Sequence, residues 1–300
     1  MRMPKEAFEM ERKIGLLILC LVLGAVGCSR KAEELIPTPT AVTETPAPTK
    51  TTEPTSMPTA IPEPTVTPIP TFVPTEAPPD VPTPSMAPVI ENREIIAIDP
   101  GHQGKGNYEK EPVGPGATEQ KTKVSSGTQG VSTKVPEHVF TLELSLKLRE
   151  ALTELGYEVV MTRETADVNI SNIERAEIAN AAGADIYIRI HADGDDSEAA
   201  NGISVLYPSE NNPYVAELSQ DSKRLAQAVL DELCEATGAK KRGIVKRDDL
   251  SGTNWAQMPV ILIEAGFMTN KAEDERLQDP AYQAKLIQGI VKGIEEYFKE

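Results

Sequence analysis

Short apolar runs alternate with longer amphipathic segments over the last two thirds of the chain. The first run, at 95–98, predicts a buried strand that Asp99, Pro100 and Gly101 bring to an end. Similar runs predict strands at 157–162, 186–190, 202–207 and 260–263. Helical periodicity or helix-favouring composition predicts helices at 137–155, 173–182, 214–236 and 282–298.

The segment 137–155 carries two conflicting signals. Its leucines alternate with polar residues, which is typical of a strand, but its length and its Glu, Lys, Leu and Arg content favour a helix. With this helix in place, strands and helices alternate along the chain. We therefore predict a single three-layer α/β domain at 92–300, with helices on both faces of one sheet.

The N-terminus has the layout of a secretory signal. Basic residues precede an apolar run at 14–26, which is shorter than the about 20 residues that a bilayer span needs. The run ends in Ala-Val-Gly-Cys at 25–28, which resembles the lipobox of bacterial lipoproteins. We expect residues 1–28 to be a lipoprotein signal with Cys28 as the lipidation site, the alternative being an ordinary cleaved signal. Both interpretations predict an exported protein.

Residues 29–91 are rich in proline and threonine and hold few large apolar side chains. Such a composition cannot bury a core, so it predicts a disordered, semi-extended linker. At about 3.1 Å per residue, its most proline-rich part, from Pro37 to Pro88, spans on the order of 150 Å if it is stiff. With Cys28 acylated, we expect it to hold the domain at the outer face of the cytoplasmic membrane, within the cell wall.

The charge balance narrows the possible partners. The chain has 30 basic and 46 acidic residues, for a net charge of −16. This charge argues against nucleic acid and against anionic lipid bound by a basic surface. Only Cys234 lies in the predicted domain, so no disulfide framework is possible there. We expect the domain to be stabilised by its core and to be a monomer.

Three predicted strands end at residues that can bind metal or move a proton, namely His102, His191 and Glu264, and Glu137 opens the first helix. A hydrolytic zinc site needs three protein ligands, an open position for water and a further carboxylate as base. These four residues supply that set if the fold brings them together. The alternative is two histidines with ordinary structural contacts, accompanied by surface acids.

Four motifs follow one another at compatible spacing. They are Ile-Asp-Pro-Gly-His at 98–102, Glu137 in a Leu-rich helix, Ile-His-Ala-Asp at 190–193 and Glu-Ala-Gly-Phe-Met-Thr-Asn at 264–270. Together they resemble the zinc-dependent N-acetylmuramoyl-L-alanine amidases, and the resemblance extends from about Ile95 to the C-terminus.

This resemblance implies both a fold and a reaction. The implied fold is a mixed, mostly parallel six-stranded sheet with flanking helices. His102, Glu137 and His191 would hold Zn²⁺, and Glu264 would be the catalytic carboxylate. The implied reaction is hydrolysis of the amide between the lactyl group of N-acetylmuramic acid and L-alanine in peptidoglycan. Alternatives are another zinc amidohydrolase or peptidase acting on wall peptides, and a non-catalytic wall-binding lipoprotein.

The identity of the second ligand stays open at this point. His138 adjoins Glu137, and two successive helical residues point about 100° apart, so at most one of them faces the metal. The resemblance favours Glu137. For the ligand histidines, Asp99 or Asp193 is the expected acceptor of the second ring N–H.

Arg189 and the connection 103–136 are further candidates for a role at the site. Arg189 lies two residues before His191, and we expect it either to bind a substrate carboxylate or to form an ion pair with Glu174 or Asp193. The connection is long, polar and Gly-rich, and we expect it to line the substrate groove or to act as a lid.

Overall fold

The structure is a computed structural model that describes residues 94–299. The predicted signal with Cys28 and the predicted linker at 29–91 lie outside the described residues, so both stay predictions. None of the helices between residues 94 and 299 combines the length and the apolar character needed to cross a bilayer.

Six of the eight strands in this part of the chain form one sheet in the order β4-β1-β5-β8-β6-β7, and the other two form a separate hairpin. The strands are β1 (Ile95–Pro100), β2 (Asn107–Pro112), β3 (Gln120–Val124), β4 (Glu158–Met161), β5 (Ile186–Asp193), β6 (Ile203–Tyr207), β7 (Lys241–Lys246) and β8 (Val260–Phe267). All neighbours in the large sheet are parallel except β6 and β8, which are antiparallel. The predicted mixed, mostly parallel six-stranded sheet is confirmed.

Helices cover both faces of this sheet, as predicted. They are α1 (Glu137–Glu154), α2 (Asn172–Ala181), α3 (Ser219–Thr237), α4 (Ser251–Asn254), α5 (Lys271–Leu277) and α6 (Pro280–Lys299). Side chains of α1, α3 and α6 form the main core with one face of the strands, to which Ile96 and Ile98 point. Small residues of α2 pack on the other face, beside Ala97 and Tyr187. Successive strand residues point to opposite faces, which explains the two cores.

Two parts of the fold differ from the sequence prediction. β7 was not predicted, because its sequence is largely basic and its residues are mostly exposed at the edge of the sheet. The connection 103–136 contains the hairpin β2–β3, whose polar strands lack an apolar alternation. Polar edge and hairpin strands bury little apolar surface, so hydrophobic periodicity does not reveal them.

The topology places three of the candidate residues at one edge of the sheet. β1, β5 and β8 are adjacent and parallel, so their carboxyl ends meet. His191 of β5 is directly in register with Glu264 of β8. The connection after β1 is fixed over this edge, because the carboxylate of Asp274 accepts the backbone N–H groups of Ser132 and Thr133 at 2.7 and 2.8 Å.

Candidate metal centre and catalytic carboxylate

Three side chains converge at the carboxyl edge of the sheet. His102 follows β1, Glu137 is the first residue of α1, and His191 lies near the end of β5. One potential ligand atom from each lies within 4.8 Å of the other two. The sequence prediction named these residues, and the fold brings them together.

Glu137 lies at the centre of this cluster and is buried. Its Oε2 is 3.0 Å from His102 Nε2, and its Oε1 is 3.1 Å from His191 Nδ1. The same carboxylate accepts the backbone N–H groups of Thr128 at 2.8 Å and Ala192 at 3.1 Å. Burial raises the pKa of Glu137, but hydrogen bonds and charge from the two histidines more than offset this, so the net pKa lies well below the ordinary value.

The ring of His102 is oriented through its second nitrogen. Nδ1 lies 3.0 Å from the carbonyl oxygen and 3.2 Å from the hydroxyl of Ser125. Because a carbonyl only accepts, Nδ1 is the donor, and the lone pair of a neutral ring is then on Nε2, which faces Glu137. The expectation that Asp99 or Asp193 orients this histidine is therefore wrong, since a residue of the long connection does so.

His191 carries an unused donor or ligand atom. Its Nε2 is buried and has no hydrogen-bond partner in the part of the chain that the structure describes. Burial is the main cause that lowers the pKa of His191 to about 4, against the opposing effect of Glu137. At neutral pH the ring is thus uncharged, which is the state in which histidine binds a metal.

Two glycines make room for the cluster. A Cβ on Gly101 would lie 2.5 Å from the ring of His191. Gly127 has a φ of +77°, and a Cβ there would lie 2.7 Å from both Glu137 Oε2 and His102 Cδ2. Both positions therefore need glycine for the close approach of ligand side chains, and Gly127 needs it for its backbone conformation as well.

The donor set of this cluster fits Zn²⁺. Two imidazoles and one carboxylate are the ligands of an open catalytic zinc site, which keeps a fourth position for water. The unpartnered, buried Nε2 of His191 fits the same assignment, because a buried polar atom without a partner is costly unless it has another role.

Glu264 lines the same cavity as the cluster and is half-buried. Its Oε2 is buried and has no hydrogen-bond partner among residues 94–299. Burial is the main cause that raises the pKa of Glu264 well above the ordinary value, and the nearby charges of Glu137 and Asp193 raise it further. A carboxyl group with a raised pKa is suited to exchange protons near neutral pH.

A cavity of about 480 Å³ opens onto all four residues. Its lining also includes Lys121 of the hairpin, Arg189 of β5, and Arg247 with Asp249 after β7. The sequence prediction missed Lys121, Arg247 and Asp249, because nothing in their local sequence marks them, and they reach the cavity only through elements that the pattern did not predict. The long connection does line the groove, as expected, through Lys121 and the segment before α1.

His138 lies outside the metal cluster. Its backbone carbonyl accepts a hydrogen bond from Nη2 of Arg163 at 2.9 Å, and the residue is half-buried. Burial and the nearby Arg163 lower the pKa of His138. The geometry thus favours Glu137 over the alternative that the sequence left open.

The guanidinium group of Arg189 is hydrogen-bonded to two buried or half-buried side chains, and the residue also lines the cavity. Its Nε donates to Asp99 Oδ2 at 2.9 Å, and its Nη2 donates to Asn172 Oδ1 at 2.8 Å. The partner is thus Asp99, and the expected pairing with Glu174 or Asp193 is wrong. The substrate contact of Arg189 stays a prediction.

Asp99 is the shared acceptor in a buried network of charged side chains next to the cluster of His102, Glu137 and His191. Its Oδ1 accepts Arg175 Nη1 at 2.7 Å and Thr162 Oγ1 at 2.6 Å. Burial raises its pKa, but the charges of Arg175 and Arg189 and the hydrogen bonds outweigh it, so the net pKa lies well below the ordinary value. Asp99 is therefore a structural anion that balances two buried guanidinium groups.

Comparison with known proteins places this site in a family. Residues 96–296 match the model of the N-acetylmuramoyl-L-alanine amidase family. An N-acetylmuramoyl-L-alanine amidase of Mycobacterium tuberculosis is 33% identical over 210 residues, which cover 67% of this chain and 84% of that protein. One from Bacillus subtilis is 28% identical over 224 residues, or 72% of this chain and 39% of that longer protein.

A solved structure agrees with the sequence matches. The crystal structure of an N-acetylmuramyl-L-alanine amidase from Mycobacterium smegmatis superposes with a TM-score of 0.62 at 31% identity, over 69% of this chain and 97% of that one. The matched segment begins at the second residue of β1 and ends inside α6, so it contains all of the six-stranded sheet except Ile95, and all four candidate residues. The chain belongs to the N-acetylmuramoyl-L-alanine amidase family.

Proposed function

We propose that this enzyme is a zinc-dependent peptidoglycan hydrolase, which cleaves the amide between the lactyl group of N-acetylmuramic acid and L-alanine of the stem peptide. One observation carries the proposal: the His102, Glu137 and His191 cluster lies beside a half-buried carboxyl group, Glu264, that is in register with His191. Family membership supports an amidase that acts on the cell wall.

The proposed ligands are His102, Glu137 and His191. A zinc ion held by them supplies Lewis-acid polarisation of the amide carbonyl and lowers the pKa of bound water toward about 7. Glu137 keeps its negative charge there, because three hydrogen bonds, from His191 Nδ1 and from two backbone N–H groups, hold its carboxylate.

Glu264 is the proposed general base and acid. Its carboxylate takes a proton from the attacking water, and its carboxyl group then gives a proton to the nitrogen of L-alanine, which leaves as an amine. The buried position next to Glu137 and Asp193 favours the protonated carboxyl group, which assists the second of these steps. No covalent intermediate is required.

For the rest of the chain we propose the arrangement that the sequence predicts. Residues 1–28 are a signal whose Cys28 is acylated, 29–91 are a linker, and 92–300 are the catalytic domain. The enzyme is then exported and tethered to the outer face of the cytoplasmic membrane, and it acts on the wall as a monomer. Mass spectrometry of the mature N-terminus tests the acylation of Cys28.

Digestion of purified muropeptides by the full chain, with mass spectrometry of the products, tests the reaction. We expect intact stem peptides and sugars that retain the free lactyl group, and we expect a chelator to stop the reaction and added Zn²⁺ to restore it. Products cut between amino acids would assign the chain to the peptidases. Wall binding without any product would identify a non-catalytic wall-binding protein.

A further inference from the structure

The cavity continues beyond Glu264 into a second arm of the groove. This arm has a volume of about 430 Å³, and it shares Asp193, Leu206, Arg247 and Glu264 with the cavity described above. Ser204 lines only the second arm, where it lies beside Glu264, with which it is in register across the antiparallel pair β6–β8. Glu264 therefore stands where the two arms meet, which is where the scissile bond must lie.

Cations dominate the wall of the second arm. Lys240, Lys241, Arg242 and Arg247 line it, and among residues 94–299 the only carboxylates that line it are those of Asp193 and Glu264. The chain as a whole has a net charge of −16, so the positive charge of this arm is opposite in sign to that of the protein. All four cations come from β7 or its ends, the edge strand that the hydrophobic pattern did not reveal.

Two of these cations have hydrogen-bonding capacity left over. Arg242 stacks on the ring of Phe267 at 4.6 Å and donates Nη1 to the carbonyl of Asn201 at 3.4 Å, but it contacts no carboxylate of residues 94–299 at salt-bridge distance. Arg247 binds Asp249 through Nε at 2.7 Å and Nη2 at 3.1 Å. That pairing uses one edge of the guanidinium and leaves the edge with Nη1 open. Lys241, by contrast, is paired with Asp231.

The chemistry of the substrate decides which half occupies this arm. The lactyl carboxyl group is consumed in the scissile amide, and the N-acetylated sugars carry no other charge. Free carboxylates are found on the peptide stem, beyond L-alanine. A planar guanidinium with an open edge binds a carboxylate by two parallel hydrogen bonds.

We propose that the second arm binds the peptide stem, and that Arg242 and Arg247 recognise a free carboxylate on the residue that follows L-alanine. The inference rests on the proposed function and adds a specificity to it. Glycan then lies on the other side of Glu264, in the arm that the metal ligands and the hairpin line. Arg189 lines that arm, so in this arrangement the predicted contact of Arg189 with a substrate carboxylate is not made. Asp249 acts as a positioning residue, because it holds one edge of Arg247 and so fixes the direction of the other.

Two muropeptide substrates test the inference. One carries D-glutamate with a free α-carboxylate after L-alanine, and the other carries the same residue with that carboxylate amidated. We expect kcat/KM of the unchanged enzyme to be about tenfold higher for the substrate with the free carboxylate, because one charge-assisted hydrogen bond contributes about that factor. The difference should lie mainly in KM. The double variant Arg242→Gln with Arg247→Gln is expected to cleave both substrates at one common rate.

Arg149→Gln is the matched control, since Arg149 also forms a surface ion pair with a carboxylate, Glu164, but lines neither arm. This variant is expected to keep the tenfold preference. Equal cleavage of the two substrates by the unchanged enzyme overturns the inference, and so does a preference that survives the double variant. Another outcome is that the unchanged enzyme cleaves both muropeptides equally while the double variant loses binding to a phosphate-rich wall polymer. That result would show that the arm binds the polymer and not the peptide stem. Failure of the proposed function is distinct, because then neither substrate is cleaved at the lactyl amide.

Discussion

Replacement of Gly127 by alanine tests whether the long connection builds the metal centre. Gly127 lies between Ser125, which orients His102, and Thr128, whose backbone N–H binds Glu137. Its own Cα lies so close to both ligands that a Cβ would be 2.7 Å from each. We expect Gly127→Ala to fold but to bind zinc more weakly.

Two separate costs can be assigned to this substitution. The φ of +77° lies in the left-handed region, which costs an alanine about 1–2 kcal/mol. The contacts of 2.7 Å must also open to at least 3.4 Å, so His102 and Glu137 must move by about 0.7 Å. Ligand distances in metal sites tolerate only about ±0.2 Å. We therefore expect zinc affinity to fall by about 10- to 100-fold, the range seen when the support of a metal ligand is lost.

Gly116 supplies the matched control within the same connection. Its φ is +74°, and a Cβ there would meet nothing within 4 Å. Gly116→Ala therefore carries the backbone cost alone. In a urea titration we expect Gly127→Ala to lose at least as much free energy of unfolding as Gly116→Ala, which carries the backbone cost alone. Only Gly127→Ala should lose zinc in competition with a chromophoric chelator. Equal zinc affinity in the two variants would refute the view that Gly127 shapes the site.

Three further changes separate the roles of the remaining residues. Glu264→Gln is expected to keep a full equivalent of zinc by elemental analysis while turnover falls by about 10²- to 10⁴-fold, and unchanged turnover would exclude Glu264 as the base. His138→Ala is expected to retain zinc, and loss of the metal would reverse the ligand assignment. Asp99→Asn leaves Arg175 and Arg189 without their buried counterion, so the free energy of unfolding should fall by about 3–5 kcal/mol in urea. Because the folded protein lowers the pKa of Asp99, this difference is present above pH 3.8 and should narrow as the pH falls further.

The sheet and the four candidate residues were predictable because each lies on an element with a strong local signal. The strands of the sheet interior are short apolar runs, and a histidine or glutamate stands at or near the carboxyl ends of β1, β5 and β8. In a parallel sheet these ends meet, so strand order alone brings His102, His191 and Glu264 to one edge. Only Glu137 needed the family resemblance, since its neighbour His138 fits the sequence pattern equally well.

The partners of these residues were not predictable, because they depend on backbone groups and on polar segments. The acceptor for His102 is a backbone carbonyl, which any residue at position 125 would offer. Arg247 reaches the groove from an edge strand that buries little apolar surface. Likewise, the pairing of Arg189 with Asp99 follows from the register Asp99–Arg189 in the pair β1–β5, which periodicity does not determine.

Two buried arginines, Arg163 and Arg175, hold His102 in an unusual backbone conformation. Its φ of +60° is unfavourable for a residue with a side chain. Arg175 donates Nη2 to the carbonyl of His102 at 2.8 Å and Nη1 to that of Pro100, also at 2.8 Å, and Arg163 donates to the carbonyls of Pro100 and Gly101. These hydrogen bonds fix the backbone on both sides of the strained residue. The charge on Asp99 in turn allows Arg175 to be buried there. The same contacts thus set the stability of this buried network and the direction of His102, a proposed metal ligand.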